Sequence, residues 1–426
     1  MNKRVLSNSI WMMAEKLISI IGLIFVTSYV AKYVGPNIFG QIAFATSIFQ
    51  ITQIVSQLGS DVIIFKRLSR NERSGLNLLS STTALRGGIY LLISIPVVFF
   101  TARQGDVSGL YFILACFLSC FFSSLDVYSI YYNAKLRSKN NTIINSFGLV
   151  LSLTLRWAIA ALKLDPIYLC IPIACTGLVP FVIRYFIFNK HIEVKNTVKK
   201  NRHKKKYTKY LLVTGASFAL SSISVAIYTR LSMLLLGFMD GSKVVGIYSV
   251  AVTLAGSWSF VCQSFVTSSL PAIFAEKDPS ETIKKSAKLN LVVIIISLPM
   301  IVGSLFIGSW FINIFYGKYY LDAFLPMMIL NLATMCTSLG TVSGRYIAKL
   351  SGYSFLSKKM VLVTFISLGL NYVLIVNCGI VGAAIATLCT EVISLTILNY
   401  FFKKGIVFKV HKQTLMLNSL FYKNKS

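Results

Sequence analysis

The chain has 426 residues, 55% of them hydrophobic and only 13% charged. A water-soluble domain is typically about a quarter charged, so this composition excludes an ordinary cytosolic enzyme, a disordered protein and a soluble nucleic-acid binder. With 42 Lys+Arg against 13 Asp+Glu the net charge is +29, and in so apolar a chain that excess belongs on the cytoplasmic loops of a polytopic membrane protein, where it resists translocation.

Met1 to Ser7 is polar and basic, and an apolar stretch then runs from about Ile10 to Val34. That is longer than a signal-peptide core and no small-residue cleavage site follows it, so it reads as the first span. A span needs about 20 apolar residues, and the runs that meet this, in chain order, are 10–32, 39–64, 77–100, 109–132, 142–163 and 167–188. A basic loop at 189–209 follows. Six more runs come after it, at 210–237, 245–270, 288–312, 322–345, 358–377 and 379–402, and then a basic tail over 403–426. The expected fold is an all-α polytopic membrane protein of about 12 helices. Its domains are an N-terminal six-helix half (1–188), a cytoplasmic linker, a C-terminal six-helix half (210–402) and a cytoplasmic tail.

Basic residues test the layout. With the N-terminus inside and strict alternation, 32 of the 42 Lys and Arg fall on the cytoplasmic side and five on the other, namely Lys32, Arg103, Lys163, Lys243 and Lys318. One missed span would scramble this split. The outer loops are short, the longest near 101–108 and 313–321, so no extracytoplasmic domain is expected.

The division into six and six points to an internal repeat. Span 1 ends in Gly35-Pro36-Asn37-Ile38-Phe39-Gly40, and span 7 ends in Gly241-Ser242-Lys243-Val244-Val245-Gly246. Both carry a glycine pair five residues apart, offset by 206. Equal halves of six spans make the repeat parallel, with the halves related by an axis along the membrane normal around a central cavity, a transporter architecture. Gly35, Pro36, Gly40, Gly241 and Gly246 are read as structural turns, since Gly ends a helix and Pro suits the first turn of the next.

Eight cysteines lie nearly all within apolar runs, and His191, His203 and His411 are the only histidines. No metal or disulfide framework follows from that pattern, and no cofactor is expected. Charges inside spans carry more information, because each costs at least about 2.5–3.5 kcal/mol at the bilayer centre. Arg184 is close enough to a span end to snorkel, and Asp61 is placed to pair with Lys66 or Arg67. Glu15, Lys16, Asp126 and Glu391 are candidates for ion coupling or for charge pairing. Arg86, Arg156 and Arg230 each lie seven or more residues from a span end. Guanidinium stays charged and matches phosphate oxygens bidentately. These three are therefore candidates for holding a phosphate-bearing anion, the alternative being pairs with Asp126, Glu391 or backbone carbonyls. No GxxxxGK[ST] loop and no metal-binding acidic pair in a loop is present, so no enzyme activity is read. The loop acids, among them Glu72, Glu276 and Asp278, read as solvated.

Four stretches carry a family resemblance: Asn8 with Trp11; Tyr33-Val34-Gly35-Pro36-Asn37-Ile38-Phe39-Gly40; Val245-Gly246-Ile247-Tyr248-Ser249-Val250-Ala251; and Gly379-Ile380-Val381-Gly382-Ala383-Ala384-Ile385-Ala386-Thr387. The chain resembles the O-antigen flippases among the polysaccharide exporters of the multidrug/oligosaccharidyl-lipid/polysaccharide (MOP) superfamily. Val34 and Phe39 depart from that family's Tyr-Leu-Gly-Pro-x-x-Tyr-Gly. The resemblance implies a flippase of the bacterial inner membrane that moves an undecaprenyl-pyrophosphate-linked repeat unit outward by alternating access. The partners it implies are that lipid-linked oligosaccharide, membrane lipids, and the polymerase and chain-length regulator of the same pathway, with no nucleic acid. The same fold serves capsule or teichoic-acid precursors. Two alternatives are a multidrug/cation antiporter, which would carry more deep acids than bases, and a polysaccharide polymerase or glycosyltransferase, which would need a sizeable outer loop.

The layout has a direct check. A periplasm-active phosphatase fused after Lys200 should be inactive and one fused after Gly241 active; the reverse pattern would overturn both the orientation and the repeat.

Overall fold

Lipid offers no partner to backbone N–H and C=O groups, so apolar runs of this length fold as helices that satisfy those groups internally. The computed structural model describes residues 3–102, 107–135, 137–193 and 204–416. Among the described residues there is no strand. Packing divides the chain into two units, residues 1–230 and 231–426. Residues 194–203 of the loop expected to divide the halves lie outside the described residues, and the packing boundary falls beyond that loop, within a single helix.

The first unit holds α1 (Lys3–Gln57), α2 (Ser60–Arg70), α3 (Glu72–Ala102), α4 (Val107–Leu125), α5 (Tyr128–Ala134), α6 (Ser138–Ala161), α7 (Cys170–Glu193) and most of α8 (Lys204–Met239). α1 packs on α4 and α6, and α4 packs on α7. Val30, Phe49, Tyr90, Phe112, Ile159 and Leu169 are buried where these helices meet. The second unit begins within α8 and continues through α9 (Ser242–Gly256), α10 (Ser259–Ala275), α11 (Pro279–Phe311), α12 (Phe324–Lys349), α13 (Tyr353–Ile393) and α14 (Ile406–Leu415). α12 packs on α9, α11 and α13, and α14 packs on α11.

Nine helical stretches among the described residues are long and apolar enough to cross a membrane, or up to ten with the bent pair α4 and α5 taken as one. Two of the nine, Ile18–Gln57 and Tyr353–Leu398, run 40 and 46 residues. At 1.5 Å per residue each is about twice the hydrocarbon thickness. Each also contains one glycine with non-helical backbone, Gly35 (φ 75°, ψ 170°) and Gly379 (φ 52°, ψ −131°). Divided there, the helices are consistent with twelve crossings.

Gly241 caps the start of α9 at φ 84°, ψ 177°. Its backbone therefore repeats that of Gly35 at the offset of 206 residues. The small-residue run after Gly379 packs closely, as expected. Gly382, Ala383, Ala384 and Ala386 are buried, and a Cβ on Gly382 would sit 1.9 Å from the carbonyl oxygen of Leu374.

Part of the basic tail is a docked helix: Val407, Val410 and Thr414 of α14 are buried, while Lys404, Lys409 and Lys412 are exposed. The loop acids are tied down too. Glu72 accepts hydrogen bonds from Tyr131 Oη (2.9 Å) and Lys135 Nζ (2.8 Å). Asp278 accepts from the Ser280 amide and caps α11 (3.0 Å), and Glu276 accepts from Lys285 Nζ (2.6 Å). The Lys285 hydrogen bond on Glu276 and the Ser280 side chain on Asp278 hold both carboxyls below their ordinary values. These acids serve as caps and ties because helix ends leave unpaired amides and lysines within reach.

Nothing lies within 4 Å of a Cβ built on Gly35 or Gly241, so the cost of a side chain there is that of the backbone alone. Gly35→Ala and Gly241→Ala should each destabilise the protein by about 1–3 kcal/mol, read as a lower melting temperature in detergent. An unchanged melting temperature in both variants would show that neither turn is strained.

Candidate functional site

The break between α1 and α2 organises the first polar centre. Leu58 (φ 47°) and Gly59 (φ 60°) are both left-handed, which ends one helix and starts the next. Ser60 and Asp61 follow in the first turn of α2. Arg86 of α3 reaches them: its Nε and Nη2 donate to Ser60 Oγ at 3.0 and 2.5 Å, and Nη2 forms an ion pair with Asp61. The Arg86 side chain is 2% exposed and that of Asp61 49%. The expected pairing of Asp61 with Lys66 or Arg67 is thus corrected; Arg67 donates instead to Ser74 Oγ at 2.8 Å. Arg86 lies deeper, where an unpaired charge costs more, and takes the carboxylate.

A second break, a bend of 42° between α4 and α5, holds Asp126. Arg184 of α7 forms an ion pair with it and donates to Asn145 and, at 3.1 Å, to Asn141 of α6. At 3% exposure the Arg184 side chain does not snorkel, which corrects that expectation. Asp126 Oδ1 is buried with no hydrogen-bond partner. Both ion pairs face one cavity of about 200 Å³, so their charges cancel locally and the chamber holds two guanidiniums and two carboxylates.

The other two deep arginines differ. No hydrogen bond or ion pair to Arg156 or Arg230 is found among the described residues, and Arg156 Nε is buried without a partner. Both lie near α4, Arg156 close to Cys116 and Arg230 close to Cys120, one helical turn apart. Arg230 lines a larger cavity of about 640 Å³ within the first unit. Gln50, Gln53 and Gln57 of α1 form one wall, and Ser221, Ser222 and Thr229 of α8 lie on the other. The glutamines are spaced i, i+3, i+7 and so share one helix face. No acid lines this cavity among the described residues. Gln57 lines the smaller chamber as well.

Sequence reasoning therefore grouped three arginines of which the structure brings two to one face of α4 and gives the third a carboxylate. It missed the glutamine row, although the spacing was there to be read. It also missed the pairing of Arg184, because only the fold brings residues 126, 141, 145 and 184 together.

The second unit is held by uncharged polar groups. Ser232 Oγ donates to Asn371 Oδ1 (2.7 Å) and lies 3.1 Å from Thr387 Oγ1. Trp258 Nε1 donates to Asn331 (3.0 Å), which donates to Ser304 (2.8 Å). Glu391 is 9% exposed and acts electrostatically on Lys359. Lys359, at the start of the expected span 358–377, is buried and donates to Asn399 Oδ1 at 2.8 Å. Lys16 is exposed, and the side chain of Glu15 lies outside the described residues. No group of three or more His, Cys, Asp or Glu that could hold a metal occurs among the described residues.

This fold is shared with solved transporters. The chain superposes on the lipid II flippase MurJ in its inward closed conformation with a TM-score of 0.72, at 17% identity, over 97% of this chain and 91% of that one. An inward-facing multidrug resistance MATE family transporter of the MOP superfamily matches with a TM-score of 0.65 at 14% identity, over 96% and 99%. By sequence, the capsular polysaccharide biosynthesis protein CapF of Staphylococcus aureus is 22% identical over 260 residues, 60% of this chain. That match spans 65% of the relative's length, just under two thirds. The model of the polysaccharide biosynthesis protein family matches residues 5–277. More than half of the chain is thereby accounted for, and the chain belongs to the polysaccharide biosynthesis protein family.

Proposed function

We propose that the protein is a flippase of the bacterial inner membrane, both termini cytoplasmic, that carries an undecaprenyl-pyrophosphate-linked repeat unit of a surface polysaccharide to the outer leaflet. The observation that carries this reading is the cavity of Arg230, which among the described residues has one unpaired guanidinium, amides and hydroxyls beside apolar side chains such as Ile51 and Val225, and no acid. Arg156, also unpaired, lies near the same face of α4. A pyrophosphate entering such a site exchanges water for charge-assisted hydrogen bonds, each worth about 1.5–3 kcal/mol. The amides and hydroxyls suit the hydroxyl groups of a sugar, which both donate and accept.

The glycan is an O-antigen or a capsular repeat unit; the likeness to CapF favours the capsular kind of surface polymer. A cation antiporter fits less well, because Asp61 and Asp126 are both neutralised by arginines and no acid faces the larger cavity. Loss of the protein should leave lipid-linked single repeat units on the cytoplasmic side and remove long surface polysaccharide. Extracts lacking the lipid-linked unit altogether would instead mark a biosynthetic enzyme and overturn the reading.

The arginines should separate by role when glycan length and membrane level are measured together. Arg230→Ala should remove most surface polysaccharide at normal protein level, with a ten- to hundredfold loss in substrate binding at about 1.5–3 kcal/mol per contact. Arg230→Lys keeps the charge but not the planar fork and should retain partial export. Arg156→Ala should act in the same direction. Arg86→Ala leaves Asp61 without its partner and should lower the protein level itself. Full export by Arg230→Ala and Arg156→Ala at normal level would show that this cavity does not hold the pyrophosphate.

A further inference from the structure

We propose that α14 is an interfacial helix that binds anionic phospholipid in the leaflet reached by the C-terminal end of the last span. The chain leaves the stretch that ends at Leu398 and turns through three consecutive left-handed residues, Lys403, Lys404 and Gly405 (φ 39°, 56° and 78°). α14 then lies back on the unit. Val407 and Val410 pack with Ala287 of α11 and with Tyr346 and Ile347 of α12. Asn290 donates to Thr414 Oγ1 at 3.3 Å. The His411 ring bridges Ser343 Oγ (3.1 Å) and Tyr400 Oη (3.0 Å). These partners belong to the first turns of α11 and the last turns of α12, so α14 lies level with the span ends and does not hang free beyond them.

The face turned away from that packing has two stripes. Phe408 (51% exposed) and Leu415 (79% exposed) are seven residues apart and lie above one another. Lys409 and Lys412 run beside them, with Lys404 just before the helix, and all three are exposed. None of these lysines has an ion pair among the described residues, and no Asp or Glu occurs anywhere after Glu391. Water disfavours the apolar stripe, and a protein interior disfavours the lysines. The boundary between acyl chains and phosphates accepts both, as it does for other basic amphipathic helices. Each lysine near an anionic surface strengthens binding by about fivefold, less where salt screens it.

The test uses the full chain in nanodiscs of phosphatidylcholine alone, or with phosphatidylglycerol as about a third of the lipid, and reads amide exchange along α14. Exchange should slow by about tenfold when phosphatidylglycerol is present. The triple variant Lys404→Gln, Lys409→Gln, Lys412→Gln should lose that dependence while exchange in α11 stays unchanged, since these side chains are exposed. Equal exchange of the unmodified protein in the two lipids, or full dependence in the triple variant, would overturn the proposal. So would equal protection by soluble glycerophosphoglycerol in phosphatidylcholine discs, because that would make the surface a phosphate site rather than a lipid one.

Discussion

A charge placed in the membrane interior must be paired, hydrated or used, and the architecture of both units follows from how each one is treated. In the first unit Arg86 and Arg184 are paired with Asp61 and Asp126 at two helix breaks. Two successive left-handed residues at 58 and 59, and the bend after Leu125, place the two aspartates next to helix breaks. Breaking either pair would leave a buried charge alone, which costs far more than the pair contributes when intact.

Set against those neutralised pairs, Arg156 and Arg230 stand out by having no partner among the described residues. Their place within the membrane costs free energy that no partner among the described residues returns, which is the pattern expected of groups kept for a ligand. Gln57 lines both the neutral chamber and the cavity of Arg230. A change in the ion pairs is therefore one side chain away from the larger cavity, and the two places are natural ones to probe together.

The second unit buries Lys359 against Asn399 and otherwise relies on uncharged groups. Serine, threonine and asparagine tie its helices through short hydrogen bonds such as Ser232 to Asn371 and Trp258 to Asn331. Uncharged groups of this kind contribute about 0.6 to 2 kcal/mol each in lipid and leave no charge behind if one opens. The fold it shares with MurJ and the MATE transporters at under 20% identity shows how little of the sequence such a bundle needs beyond apolar length, small residues at contacts and glycine at the turns.

Hydropathy by itself determined the class of the molecule, because about 20 apolar residues can be read one span at a time without knowing the neighbours. The glycine turns were legible for a similar reason: Gly35 and Gly241 adopt a backbone that only glycine takes easily, so the residue type marks the place. The depth of Arg86, Arg156 and Arg230 was legible as well, but not their fates. Whether a buried arginine meets a carboxylate depends on residues 25 or 58 positions away, as with Asp61 and Asp126, and on helix breaks that turn them inward. The docking of the tail was not legible, because the packing of Val407 and Val410 against α11 and α12 lies in no local pattern longer than a few residues. Spans and turns are local properties, set by solvent and by backbone sterics. Ion pairs, cavities and docked faces are decided only when distant helices come within a few ångströms of one another.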